Sequence, residues 1–276
     1  MAEVDDVPSS ESSGLAAIQD GFLTLDDSGA GAELHQFDVA GNFLGTITVY
    51  GASNTDWEDL AVRDCDEGSC VYIGDIGDND EVRDTIVVWR APLDGLAPIT
   101  ATACTLAYDD GPHDAEALLV FPDESVRVVT KNADGEAKVY FADALGCDGG
   151  TATLTREVEL DLGAPVTGGA VSADGATVVL RGATEGWAWR GCTLDWGAVP
   201  TGLLFVGEEQ GEAVSIGADG TLWSSSEGKA FELHRLQCAE SAPLACTECG
   251  CGGSGSAPWS VVAGALLVFW WRKPAP

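Results

Sequence analysis

The sequence predicts an all-β protein built from one repeated unit of four strands, and three observations support this fold class. Alternating apolar and polar runs recur along the whole chain, whereas no stretch keeps a helical period of about 3.6 residues. The chain contains 35 glycines and nine tryptophans, a composition typical of many turns and rigid aromatic packing. Five segments also align with one another at a spacing of 43 to 57 residues, so the fold is expected to be repetitive.

Each repeat opens with a small or acidic pair and an apolar strand, and further strands follow after short turns. The first strands begin at Ser13, Glu58, Ala115, Gly168 and Gly211. The second strands cover 22–26, 71–75, 126–131, 177–181 and 222–227. Third strands begin near Glu33, Ile86, Lys138, Trp187 and Glu232. A fourth strand closes most units, as at 43–49 and 153–160, but is not evident in the fifth. Because one such sheet cannot bury its own faces, the repeats predict a β-propeller of five or six blades.

The charge of the chain limits the kinds of molecule that the protein can bind. The formal net charge is −32 with only 13 basic residues, which excludes nucleic-acid binding because the phosphate backbone would be repelled. Two explanations of the acidity stay open. The carboxylates form a solubilising shell, or some of them converge to hold a divalent cation.

The nine cysteines indicate an oxidising compartment. Cys65 and Cys70 bracket a short turn, which is the spacing of a small disulfide-closed loop. The C-x-x-C-x-C run at 246–251 lacks an obvious fourth ligand for zinc. Disulfides in a secreted or surface protein are therefore favoured over a metal site.

We divide the chain into an acidic N-terminal segment (1–12), the propeller (13–240), a Cys/Gly/Ser-rich linker (241–257) and an apolar tail (258–273). The apolar run at 258–271 precedes Arg272-Lys273 and is shorter than the about 20 residues of an ordinary spanning helix. We expect it to attach a monomeric, extracytoplasmic propeller to a membrane, the alternative being a buried terminal strand. The first 13 residues resemble no export signal, so either the true start lies upstream or the export hypothesis fails.

In a propeller, the first strand of every blade lines a central channel, so residues at their starts converge on one mouth. The candidate metal ligands there are Glu58, Asp59, Asp75, Asp78, Asn79 and Glu116, with Ca²⁺ as the suspected ion. The candidate ligand contacts are Lys131, Arg181, Arg83, Gln210, Glu212 and Glu227. The candidate catalytic groups are Glu58, Glu116 and His113, and no G-x-S-x-G motif accompanies them. The alternative is a closed network of ion pairs that only sets the spacing of the blades.

Several strings in the chain resemble a largely uncharacterised family of secreted bacterial β-propellers that are often labelled WD40-like. They are Asp56-Trp-Glu-Asp-Leu-Ala61, Gly74-Asp-Ile-Gly-Asp-Asn79, Asp114-Ala-Glu-Ala-Leu118 and Gln210-Gly-Glu-Ala213. More distantly, an acid at the start of the inner strands is similar to phytase-like and gluconolactonase-like propellers, whose channels hold Ca²⁺. The C-terminal arrangement resembles the sorting tails of myxobacterial surface proteins. The resemblance implies a propeller with its site at the channel mouth; the fourth unit departs from it, with Gly168-Gly169 in place of an acid.

Two hypotheses of function follow. In the first, the channel mouth binds Ca²⁺ and binds or hydrolyses a small anionic or sugar-like ligand, of the phosphoester or lactone class, so that any enzyme activity is metal-dependent hydrolysis. In the second, the chain is a non-catalytic surface module that recognises a protein or a glycan, and its cation or ion-pair network is purely structural.

Overall fold

The computed structural model describes residues 12–208, 210–226 and 232–236. The N-terminal segment before Ser12, the linker and the apolar tail lie outside the described residues, as does Glu227. Every regular element in the described ranges is a β-strand, and no helix there is long and apolar enough to span a membrane.

The strands form five blades in chain order. Blade 1 contains β1 (Ser12–Ile18), β2 (Gly21–Asp26), β3 (Glu33–Phe37) and β4 (Phe43–Tyr50). Blade 2 contains β5 (Trp57–Cys65), β6 (Gly68–Asp75), β7 (Ile86–Pro92) and β9 (Thr102–Tyr108), with the short β8 (Ile99–Thr100) in its last connection. Blade 3 contains β10 (Ala115–Val120), β11 (Val126–Thr130), β12 (Glu136–Ala142) and β13 (Thr151–Asp161). Blade 4 contains β14 (Gly168–Val171), β15 (Thr177–Arg181), β16 (Glu185–Arg190) and β17 (Thr201–Leu204). The described part of blade 5 contains β18 (Gly211–Ile216), β19 (Leu222–Ser226) and β20 (Glu232–Leu236).

The hydrophobic core is divided among the interfaces between blades, and this division closes the ring. One apolar cluster joins blades 1 and 2, and three more join blades 2 and 3, 3 and 4, and 4 and 5. A fifth and smaller cluster, Leu15, Phe22 and Ala213, joins blade 5 back to blade 1. The predicted fold class is therefore confirmed, with five blades.

The inner strands are rich in glycine and alanine because they crowd around the axis of the ring. A Cβ atom added to Gly168 of β14 would lie 2.4 Å from the Glu212 carbonyl oxygen of β18. Larger side chains at such positions would push neighbouring blades apart.

The outer rims of the first three blades are also connected. The end of β4 pairs in parallel with β8, and β9 pairs in parallel with β13 of the next blade. A disulfide between Cys104 and Cys147 lies at this second junction. The predicted disulfide between Cys65 and Cys70 is confirmed at the β5–β6 turn.

Candidate functional site

Four of the five inner strands carry a β-bulge near their start, and in three of them the bulged residue is a glutamate. The register of pairing skips Ser13 in β1, Glu58 in β5, Glu116 in β10 and Glu212 in β18, whereas β14 pairs without interruption. A bulge re-aims the extra residue out of the regular pleat, and bulges often lie next to active sites. In β14, which has glycines at this position, both the bulge and the carboxylate are absent.

Three carboxylates from two blades converge at the channel mouth. Side-chain oxygens of Asp27, Asp56 and Glu58 all lie within 4.8 Å of one another. Asn54 connects the blades, since its Nδ2 donates to the Asp27 carbonyl oxygen at 2.9 Å while its Oδ1 accepts the Trp57 amide at 3.2 Å. This bridging amide holds the end of β2 against the start of β5, which brings the three acids together.

Arg83 holds the loop between β6 and β7 against the same cluster. Its Nη1 donates to the Gly77 carbonyl oxygen at 2.6 Å, its Nη2 donates to Asp75 Oδ1 at 2.8 Å, and its amide donates to Asp78 Oδ2 at 2.7 Å. Asp75 Oδ1 also accepts the Asp56 amide at 3.2 Å. Asp75 and Asp78 therefore shape the loop, and Arg83 neutralises part of its charge.

Gly77 leaves open the space between two of the three carboxylates. A Cβ atom at this position would lie 2.3 Å from Glu58 Oε1 and 2.6 Å from Asp56 Oδ2. Gly77 is not among the residues with positive φ, so its backbone does not require a glycine. The requirement is one of space.

Glu58 and Glu116 form a pair of buried carboxyl groups, each only 4% exposed. The two carboxyl groups lie close enough for the charge of Glu116 to act on Glu58. Lys131 Nζ donates to Glu116 Oε1 at 2.5 Å, and the Lys131 side chain remains 36% exposed. The row from Glu58 through Glu116 to Lys131 thus runs from the acidic cluster toward solvent.

The negative charges of the carboxyl groups at this site repel one another. Burial, and after it the Glu116 carboxylate, raise the pKa of Glu58 well above its usual range. Burial and the charge of Asp27 raise the pKa of Asp56 to about 6. Burial also raises the pKa of Glu116, although the Lys131 ammonium opposes this rise. A proton or a cation relieves the repulsion.

The donor set fits a hard divalent cation. All three clustered side chains offer carboxylate oxygens, which are the ligands that Ca²⁺ takes, and Ca²⁺ accepts irregular geometry. The space that a Cβ of Gly77 would fill lies against two of these three carboxylates. Asp27, Asp56 and Glu58 are the residues that would hold the ion.

Of the six residues predicted as metal ligands, only Glu58 belongs to this group of three carboxylates, and Asp59 and Asn79 lie apart from it. Asp59 is 1% exposed, and its two carboxylate oxygens accept the amides of Leu60 at 2.8 Å and of Leu118 at 2.9 Å. It therefore joins β5 to β10 inside the channel. Asn79 is exposed on the loop.

The structure places Arg181 away from solvent, between blades 4 and 5. Its guanidinium forms an ion pair with Glu208 at 2.9 Å and stacks over the Phe205 ring at 4.2 Å. It also donates to the carbonyl oxygens of Ala183 and Ala213, both at 3.0 Å. Since its donors are engaged within the protein, we give Arg181 no ligand contact.

The remaining predicted residues occupy separate places. His113 Nε2 lies 2.8 Å from Asp110 Oδ1 and 2.6 Å from the Tyr140 hydroxyl, and its ring stacks on Tyr140. Gln210 is exposed beside the mouth. Glu212 is buried, and its charge acts on Lys131.

Sequence reasoning did not select Asp27 or Asp56 as ligands. Both are adjacent to strands that the repeat aligned, Asp27 after β2 and Asp56 before β5. The signal that could have selected Asp56 is its place in the string Asp56-Trp-Glu-Asp. Asp27 carried no such signal, because only the packing of blade 1 against blade 2 brings it near.

No family model and no curated protein matches the chain. Among solved structures, the PQQ-bound form of an aldose sugar dehydrogenase from Streptomyces coelicolor is similar over 85% of this chain and 97% of that chain. The identity is 14% and the TM-score is 0.49. A likeness at this level carries nothing about activity, and the fold assignment rests on the strand pairing and the cores between blades.

Proposed function

We propose that the protein is a Ca²⁺-binding propeller whose channel mouth binds, and hydrolyses, a small anionic or sugar-like ligand of the phosphoester or lactone class. The observation that carries this proposal is the convergence of Asp27, Asp56 and Glu58 within 4.8 Å, beside the space that Gly77 leaves open. Three carboxylates that close repel one another strongly unless a proton or a cation lies among them.

In this proposal the other residues of the mouth act on the ligand. A bound Ca²⁺ would polarise a phosphoryl or carbonyl oxygen. Lys131, partly exposed, contacts the anionic group of the ligand. Glu116, whose pKa burial raises, accepts a proton from the attacking water.

An extracytoplasmic location fits this function. Disulfides at Cys65–Cys70 and Cys104–Cys147 support an oxidising compartment, where Ca²⁺ is also plentiful. Attachment through the apolar run at 258–271 remains a prediction, because those residues lie outside the described ranges.

The cation site is tested with Gly77→Ala, which fills the open space without straining the backbone. We expect calorimetric titration of the full chain with Ca²⁺ to show at least about tenfold weaker binding in this variant. Gly202→Ala is the matched control, because a Cβ there meets no atom within 4 Å. Equal Ca²⁺ affinity in both variants and the wild type would contradict the site.

Hydrolysis is tested with a chromogenic phosphomonoester and an aryl lactone, with and without EDTA. Glu116→Gln should still bind Ca²⁺ but lose about 100-fold in kcat, as expected when a general base is removed. If EDTA lowers the melting temperature while neither substrate is turned over or bound, the cation is structural and the rival hypothesis holds.

A further inference from the structure

The channel contains a cavity at the end opposite Glu58, where the inner strands finish. Residues from β1, β5, β10, β14 and β18 line this cavity, and almost all of them are aliphatic or glycine. The polar side chains among them are those of Arg63 and Ser215, and no described carboxylate lines the cavity. Its volume is about 40 Å³, which leaves room for about one to three water-sized species.

Arg63 reaches across the channel from β5 and is not paired with an acid. Its Nε donates to the Val120 carbonyl oxygen at 2.7 Å, and its Nη2 donates to the Val171 carbonyl oxygen at 2.6 Å. Among the described residues it forms no salt bridge, whereas Arg181 has Glu208 and Arg83 has Asp75. Burial lowers the pKa of Arg63 to about 10, and the nearby Tyr72 and Asp64 oppose this only in part.

Ser215 supplies a second donor to the same cavity. The residue is 5% exposed, and its Oγ accepts the Ala17 amide at 2.8 Å. With the oxygen occupied by that amide, the hydroxyl hydrogen is free to donate, and no acceptor for it is found within the described ranges. Both polar side chains on the cavity wall therefore present donors.

We propose that this cavity is a site for a small anion of halide size, held by the Arg63 guanidinium and the Ser215 hydroxyl. The anion neutralises a half-buried positive charge that forms no salt bridge with a described residue. The aliphatic walls and the small volume favour a small anion over large hydrated oxyanions. This anion site is independent of the cation site at the mouth. It would hold a negative ion although the chain as a whole is strongly negative.

The test uses bromide with the full chain. In solution, thermal unfolding is compared in sodium bromide and in sodium gluconate at equal ionic strength, since gluconate is too large for the cavity. At bromide concentrations about 100 times its dissociation constant, we expect a melting temperature about 5 to 10 °C higher in bromide. In crystals soaked in bromide, an anomalous peak should lie beside Arg63.

Two variants and one control decide the outcome. Arg63→Met should remove the difference between the salts, and Ser215→Ala should reduce it; the second variant decides the question if the first does not fold. Arg156→Met, at a side chain that is 49% exposed, should keep the full difference. Equal melting temperatures of the wild type in the two salts, or only water beside Arg63 in the map, would overturn the proposal.

Discussion

Glu58 and Asp59 are neighbours on β5, yet their carboxylates are compensated differently. Asp59 accepts two backbone amides, from Leu60 and Leu118, so hydrogen bonds offset part of its burial. The bulge displaces Glu58, which faces the carboxyl group of Glu116 instead of a positively charged side chain. The first residue therefore stabilises the packing of blades, and the second is left to bind a proton or a cation.

The acidic cluster predicts an unusual dependence of stability on pH when Ca²⁺ is removed. The pKa of Asp56 rises from 3.8 to about 6 on folding, so the folded state holds a proton that the unfolded state has released. Between these pH values unfolding releases that proton, and the free energy of unfolding falls as the pH rises. The largest slope for one such proton is about 1.4 kcal/mol per pH unit.

We expect Asp56→Asn to make this decline less steep between pH 4 and 6, as measured by urea unfolding in EDTA. The rest of the decline persists, because the pKa values of Glu58 and Glu116 are also raised. Asp161→Asn, at an exposed residue at the end of β13, should leave the slope unchanged. A wild type that becomes steadily more stable from pH 4 to 7, in parallel with both variants, would show that the cluster is not protonated in the ion-free protein.

At the scale of elements, the outer strands decide how firmly blades 2 and 3 are joined. The parallel pairing of β9 with β13 is unusual for a propeller rim, since neighbouring blades ordinarily meet through side chains alone. The disulfide between Cys104 and Cys147 lies at this junction and spans 43 residues of chain. The Cys65–Cys70 disulfide spans only five and stays within one hairpin.

The two disulfides are therefore expected to contribute unequally to stability. Loop-closure entropy assigns about 4 kcal/mol to the longer loop and about 2 kcal/mol to the shorter. Replacing Cys104 and Cys147 together by serine should lower the free energy of unfolding more than replacing Cys65 and Cys70, by urea unfolding at fixed pH. If replacing Cys65 and Cys70 lowered the free energy of unfolding more, the connection between the rims would add little stability.

For the whole molecule, the dominant electrostatic fact is the formal net charge of −32 on 276 residues. Like charges on one compact body repel, and this self-repulsion lowers the stability of the folded state. Salt screens charges over a Debye length of about 10 Å at 0.1 M.

We expect the melting temperature to rise by several degrees between 10 and 500 mM sodium gluconate in the presence of EDTA, because the salt screens the repulsion between like charges. Gluconate is used so that no halide effect at Arg63 contributes. Sodium and tetramethylammonium salts should act alike, because screening does not depend on the identity of the cation. A rise with sodium alone would indicate that sodium occupies the acidic cluster.

The sequence by itself determined the repeat and the order of strands within each unit. These features depend on local sequence. Alternating apolar and polar residues define the strands, glycine and aspartate define the turns, and the same pattern recurs in each blade. The absence of an acid in the fourth unit was also readable, at Gly168. The Cys65–Cys70 pairing followed from its short span.

Only the tertiary structure decided which acids meet. Asp27 joins Asp56 through the packing of two blades and the Asn54 amide, and a bulge re-aims Glu58, whereas Asp59 one residue later points into the channel. Arg181 was equally basic in the sequence, but folding encloses it against Glu208. A one-residue change of register reverses the direction in which a side chain on a strand points. The alternation of residue types along the sequence does not show where such a change occurs.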